Sequence, residues 1–136
     1  LIRCISPFLV EEYWHHIAPH LPKACKRTGG SSTPDWYFRQ CQTGQGNYLL
    51  SIDGQEIQVA IVATFETWAG ERCLHINAVC GGSIPIWQAI KPDLEEWAAN
   101  HGATSIIYDA KRTHDRLFPD GVPLHTVYKK KIGPKP

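Results

Sequence analysis

Residues 71–109 read ERCLHINAVCGGSIPIWQAIKPDLEEWAANHGATSIIYD, and this stretch decides the fold. From Arg72 to Cys80, Leu74, Ile76 and Ala78 alternate with Cys73, His75 and Asn77. A period of two is the signature of a strand, so the spacing places the first three on one face. Gly81-Gly82-Ser83 then allows a sharp turn, because glycine reaches backbone angles closed to other residues. Ile86, Ile90, Leu94, Trp97 and Ala98 recur at helical spacing. Gly102 suits the left-handed position just past a helix end. Residues 103–108, ATSIIY, form a short apolar strand. Strand, covering helix and strand make a crossover unit, which lays two strands parallel.

Working backward, Asn47 to Ile52 and Glu56 to Trp68 read as two strands joined at Asp53-Gly54, with both turn positions expected at positive φ. Ala69-Gly70 turns the second of these into the central unit, so three strands form an antiparallel meander. Thr33-Pro34-Asp35 opens a short helix, which Gly44-Gln-Gly46 closes. Ser6-Pro7 opens an earlier one, whose apolar face is Val10, Trp14, Ile17 and Leu21. Pro19 and Pro22 should kink or shorten it, and 23–30 reads as a basic exit. Residues 1–5 are a further strand. Working forward, 110–118 is a short polar helix or turn. Pro123 to Ile132 is a last strand, ending on Lys129, Lys130 and Lys131. The expected organisation is one domain over 1–132 and a disordered tail over 133–136.

The chain has 136 residues and a formal charge of +1, enough for one packed core. That balance does not call for nucleic acid or an acidic membrane surface. No apolar run is long enough to span a bilayer, and no signal peptide is visible. Five cysteines with irregular spacing do not read as a disulfide framework; buried structural thiols are expected. His16 and His20 stand four apart, with Glu12 a turn earlier, but Pro19 interrupts the helix a metal pair would need. Cys73 and His75 share a strand face, and period two turns Cys80 away from them. No metal site is expected. Trp14, Trp87 and Trp97 fit core-facing helical positions; Trp36 and Trp68 lie near element ends, where they suit an interface.

The element order is β-α-α-β-β-β-α-β-α-β, an α+β domain with a mostly antiparallel sheet, one parallel crossover pair and helices on both faces. It resembles the GNAT (Gcn5-related N-acetyltransferase) fold along essentially the whole chain. The phrase Glu95-Glu-Trp-Ala98 with His101-Gly102, followed by Lys111-Arg112 and the basic end of the last strand, resembles small GNAT-like proteins of tailed bacteriophages. That resemblance implies a partner among phage or virion proteins, or a second copy of the chain. It also implies residence in the host cytoplasm or in an assembled virion.

The family resemblance further implies acetyl-CoA, held by its pyrophosphate on a loop written (Arg/Gln)-x-x-Gly-x-(Gly/Ala) at a helix N-terminus. Here Gly81, Gly82, Ser83 and Ile84 stand at that place, without the basic or Gln residue and with different glycine spacing. Pro85 removes one N–H donor. Many members place a Tyr acid after the fifth strand. This chain has none in residues 111–118, and His114 is the candidate replacement. Glu66 on the third strand is a candidate to activate an amine through water. The broken loop and missing Tyr favour a non-catalytic phage structural or accessory protein without cofactor, working through protein contacts. The alternative is an acetyl-CoA-dependent N-acetyltransferase with an atypical pyrophosphate loop.

Overall fold

The computed structural model describes residues 2–27 and 32–108. His114, the 110–118 segment, the last strand, its lysines and the tail lie outside the described residues.

One five-stranded sheet runs in the order β1 (Ile2–Cys4), β2 (Asn47–Asp53), β3 (Glu56–Trp68), β4 (Glu71–Gly81), β5 (Ser105–Tyr108). The first four strands pair antiparallel, and β5 joins β4 in parallel, as the crossover unit requires. Helices α1 (Val10–Tyr13), α2 (Leu21–Arg27) and α3 (Pro34–Gln42) precede β2, and α4 (Ile84–Asn100) links β4 to β5.

The sheet has a core on each face. Val10, Ile17, Leu21, Tyr37 and Cys41 pack against Leu50, Ala60, Val62 and Ala78. Trp87, Ile90, Leu94 and Ala98 of α4 pack against Leu49, Ile61, Ala63, Leu74 and Ile76. The central strand therefore loses its polar alternation: residues 59–63, VAIVA, are buried on both sides.

Three local expectations are corrected. The segment after Ser6 is not one helix. It breaks into 3-10 turns at Pro7–Leu9, Trp14–His16 and Ala18–His20 around α1 and α2. Pro7 and Pro19 each lie in the first turn of a short piece, where a missing N–H costs nothing. The basic exit is itself helical as far as Arg27. At the β2–β3 hairpin, Asp53 pairs with Glu56, so the turn residues are Gly54 and Gln55. Only Gly54 has positive φ (63°). Apart from these corrections, α4 holds Pro92 in its interior and Pro85 in its first turn.

The largest correction concerns β4. Val62 pairs with Ala78 but Ala63 pairs with Ile76, so Asn77 is an extra residue, a β-bulge. The bulge inverts the alternation. Leu74 and Ile76 face α4, whereas Ala78 and Cys80 face α1–α3. The expected single face of Leu74, Ile76 and Ala78 does not exist, and Cys80 shares a sheet face with Cys73 and His75.

Candidate functional site

The bulge also marks a boundary on the edge of β4. Pairing with β5 covers Cys73 to Ile76 and ends at Ile76–Tyr108. Among the described residues, Ala78 to Gly81 have a strand partner on the β3 side alone, and the bulge residue Asn77 has none. With respect to the described residues, their outward N–H and C=O groups form a short free ladder edge, able to take an extended amide-bearing chain.

That edge leads directly into the turn before α4. Gly81 and Gly82 have φ of 84° and 81°, the left-handed region that glycine occupies without steric cost. The Trp87 indole donates to the Gly81 carbonyl at 3.1 Å and pins the turn. Ser83 is the N-cap residue, but its side chain makes no capping hydrogen bond. The first helical turn leaves the N–H groups of Ile84 and Ile86 without intrahelical acceptors. Gly81, Gly82, Ser83 and Ile84 are all exposed, so the expected anion-facing segment is open to solvent.

A polar row crosses β3 and β4 on the face of α1–α3. Thr64 is registered opposite His75, and Glu66 opposite Cys73. The His75 imidazole Nδ1 is hydrogen-bonded to the Glu66 carboxylate, Oε2. A carboxylate only accepts, so Nδ1 carries the hydrogen and donates it. Asn77 donates its side-chain amide to Thr64 Oγ1 at 3.0 Å and to the His75 carbonyl at 3.3 Å. The His75 side chain is 22% exposed and that of Glu66 40%, so the pair is reachable from solvent. Further along this face, burial raises the Cys80 thiol pKa above its ordinary value. Burial also pushes the Tyr48 phenol up, helped by the neighbouring Cys80 and Cys41 thiols.

Of the sequence candidates, Glu66 thus has a partner that sequence reasoning missed, having weighed His75 only as a zinc ligand. The signal was present. A turn at Ala69-Gly70 sets Trp68 opposite Glu71, and counting back puts Glu66 and His75 diagonally adjacent on one face. Among the described residues, no group of three or more His, Cys, Asp or Glu is arranged to hold a metal. His16 and His20 fall in separate 3-10 turns, and His16 instead lies against His15, with ring centroids 4.0 Å apart. The five cysteines form no disulfide; Cys25, Cys41 and Cys73 are buried as expected, whereas Cys80 is half-buried and Cys4 is exposed, against the expectation.

No protein-family model matches the chain, and no curated protein sequence does. Solved structures do. An aminoglycoside acetyltransferase from an uncultured soil metagenomic sample is 17% identical, with a TM-score of 0.65, covering 98% of this chain and 97% of the other. A GCN5-related N-acetyltransferase from Ralstonia eutropha is 16% identical, with a TM-score of 0.64 and 97% coverage of both chains. A ribosomal-protein-alanine N-acetyltransferase from Brucella melitensis is 13% identical, with a TM-score of 0.63, covering 97% and 99%. Likeness at such identity speaks to fold alone. The chain has the GNAT acetyltransferase fold.

Proposed function

We propose that this protein is an acetyl-CoA-dependent N-acetyltransferase with an atypical pyrophosphate loop. One observation carries the reading: the free β4 edge beyond the Asn77 bulge runs straight into the exposed turn at the start of α4. The pantetheine arm of acetyl-CoA carries amides of its own, which suit a ladder edge from Asn77 to Gly81. The pyrophosphate suits the N–H groups of Ser83, Ile84 and Ile86 at the positive end of a 17-residue helix. The fit is made by backbone donors. Residues 80–87 contain no cationic side chain, and Pro85 withholds one amide. When bound, acetyl-CoA supplies an acetyl group activated as a thioester. The chain's own part is to align that thioester along β4 and to accept a proton from the incoming amine on the polar row beside it. Glu66 is the carboxylate in that row.

The altered loop is the observation favouring a second reading, a GNAT-fold domain that acts through protein contacts without catalysis. The neighbouring structures, whose names are those of acetyltransferases, favour the catalytic reading at the level of fold. Nothing in the comparisons supports the expected phage origin or virion association.

The test is calorimetric titration with acetyl-CoA and with CoA, followed by thiol release across a panel of amines. Micromolar affinity and amine-dependent thiol release are the expected results. Absence of binding at millimolar ligand overturns the reading in favour of the non-catalytic domain.

A further inference from the structure

We propose that His75 is the general base of this site, with Glu66 as the residue that positions it. The inference rests on the acetyltransferase reading above and assigns the proton acceptor within it.

The geometry is that of an oriented imidazole. Glu66 Oε2 takes the hydrogen on Nδ1, which fixes the ring's tautomer and leaves Nε2 with a bare lone pair. Nε2 has no hydrogen-bond partner among the described residues. The carboxylate thereby holds the ring in one orientation while Nε2 takes up a proton, the positioning role a carboxylate has beside a catalytic histidine. Two side chains on adjacent strands of one sheet hold this arrangement more rigidly than a loop would. The bulge residue Asn77 buttresses it by donating to the His75 carbonyl and to Thr64. His75 lies two residues before the bulge, about 7 Å along the strand from where the free β4 edge begins. An amine placed between that edge and His75 is within reach of both.

The substrate class follows. A primary alkylamine arrives as an ammonium, and its nitrogen has no lone pair until a proton leaves. Nε2 takes that proton, and the free amine then forms the C–N bond to the thioester carbonyl carbon. As the C–S bond breaks, the second nitrogen proton ends on the departing sulfur, giving the free thiol. His75 returns to its neutral form by giving its proton to solvent. The negative charge on Glu66 favours a cationic acceptor over an acidic one.

The test measures amine-dependent thiol release and acetyl-CoA affinity together. His75→Ala should lower kcat on the order of 10²–10⁴-fold with acetyl-CoA affinity unchanged. Added imidazole should restore part of the loss, which it would not do for a structural residue. His75→Gln, which keeps a polar side chain of similar reach, should be equally slow and folded. Glu66→Gln still accepts from Nδ1 but loses the charge, and should fall by about tenfold. A wild-type enzyme that turns over while His75→Ala and His75→Gln match it overturns this assignment alone. A wild-type protein that binds no acetyl-CoA and releases no thiol overturns the acetyltransferase reading, and this one with it.

Discussion

The indole N–H of Trp87, on the first turns of α4, donates to the carbonyl of Gly81, the last residue of β4. One hydrogen bond thus ties the end of the sheet to the start of the helix across the Gly81-Gly82-Ser83 turn. The turn is closely packed as well. A Cβ on Gly81 would stand 2.6 Å from the Gln58 carbonyl oxygen, and one on Gly82 would stand 2.8 Å from Val59 Cγ2. Both positions also hold left-handed backbone angles. Gly81→Ala should therefore destabilise the fold by several kcal/mol, since strain of about 1–3 kcal/mol adds to a clash with backbone. Trp87→Phe should cost about 1–3 kcal/mol, because the Gly81 carbonyl loses its donor and the core loses volume. Urea denaturation midpoints check both. A drop of less than 0.5 kcal/mol in Gly81→Ala would show that the turn is not held this way.

Because glycine substitutions damage the fold, they are poor probes of ligand binding at this loop. Ile84 offers a cleaner one. It is the first helical residue, 38% exposed, and proline is favoured at that position. Ser83 before it is already extended, at φ −84° and ψ 169°, as a residue preceding proline prefers. Ile84→Pro should leave the melting temperature within a few degrees while deleting one amide aimed at the proposed pyrophosphate. CoA affinity should fall about tenfold, the worth of one hydrogen bond to a charged group. Unchanged affinity would place the pyrophosphate elsewhere.

How much of this could be read beforehand depends on where period and turn chemistry agree. The β3–β4 hairpin and the crossover to β5 were legible because the apolar alternation, Ala69-Gly70 and Gly102 all point the same way. The two-faced burial of residues 59–63 matches a continuous apolar run that the reading of 56–68 as a strand did not use. The bulge at Asn77 was not. Nothing in Ile76-Asn77-Ala78 breaks the alternation, and only pairing with β3 shows that one residue is surplus. That omission turned Cys80 to the wrong face and hid the site's boundary. The first helical segment was read as one helix, kinked or shortened at its prolines, because Val10, Ile17 and Leu21 are all fully buried despite the breaks between them. Tertiary burial keeps a helical spacing that the backbone realises as separate turns. The Glu66–His75 pair was computable from the hairpin register, but required treating the two strands together.

On the other sheet face, Arg72 acts as a clasp. Its guanidinium lies 4.1 Å from the centre of the Phe65 ring, and its Nε donates to the His101 carbonyl at 2.9 Å. Phe65 stacks on Trp97 and His101, so one arginine joins β3 and β4 to the C-terminal end of α4. Arg72→Ala should destabilise by about 1–2 kcal/mol, summing an exposed cation–π contact and one hydrogen bond. Arg72→Lys should recover part of this, since the ammonium keeps a charge over the ring but lacks the planar fork. Chemical denaturation of the two variants checks the order. Equal stability of Arg72→Ala and wild type would show the clasp to be decorative.

Stability should fall steeply in alkali, and the buried groups give the sign. Burial, with a smaller contribution from the neighbouring Cys4 thiol, pushes Cys41 up from its ordinary value of 9.0 to about 12. Burial pushes the Tyr48 phenol in the same direction, and its hydroxyl donates to the Tyr13 carbonyl at 2.7 Å. Below pH 9 both groups are protonated whether the chain is folded or not, so they add no pH dependence there. Above pH 9 the unfolded chain loses the Cys41 proton while the folded protein keeps it. The unfolded state then binds fewer protons, and stability declines with pH by up to about 1.4 kcal/mol per unit for one such group. The loss should run from pH 9 to about 12 for Cys41, with Tyr48 steepening it above pH 10. Cys41→Ala should start from a lower stability at pH 7 because it leaves a small cavity, yet show a shallower decline between pH 9 and 11. Denaturation midpoints at half-unit steps, under reducing conditions, compare the slopes. Parallel slopes for the two proteins would mean that the Cys41 thiol ionises as readily in the folded core as in the unfolded chain, and the packing of Cys41 between α3 and the sheet would have to be reconsidered.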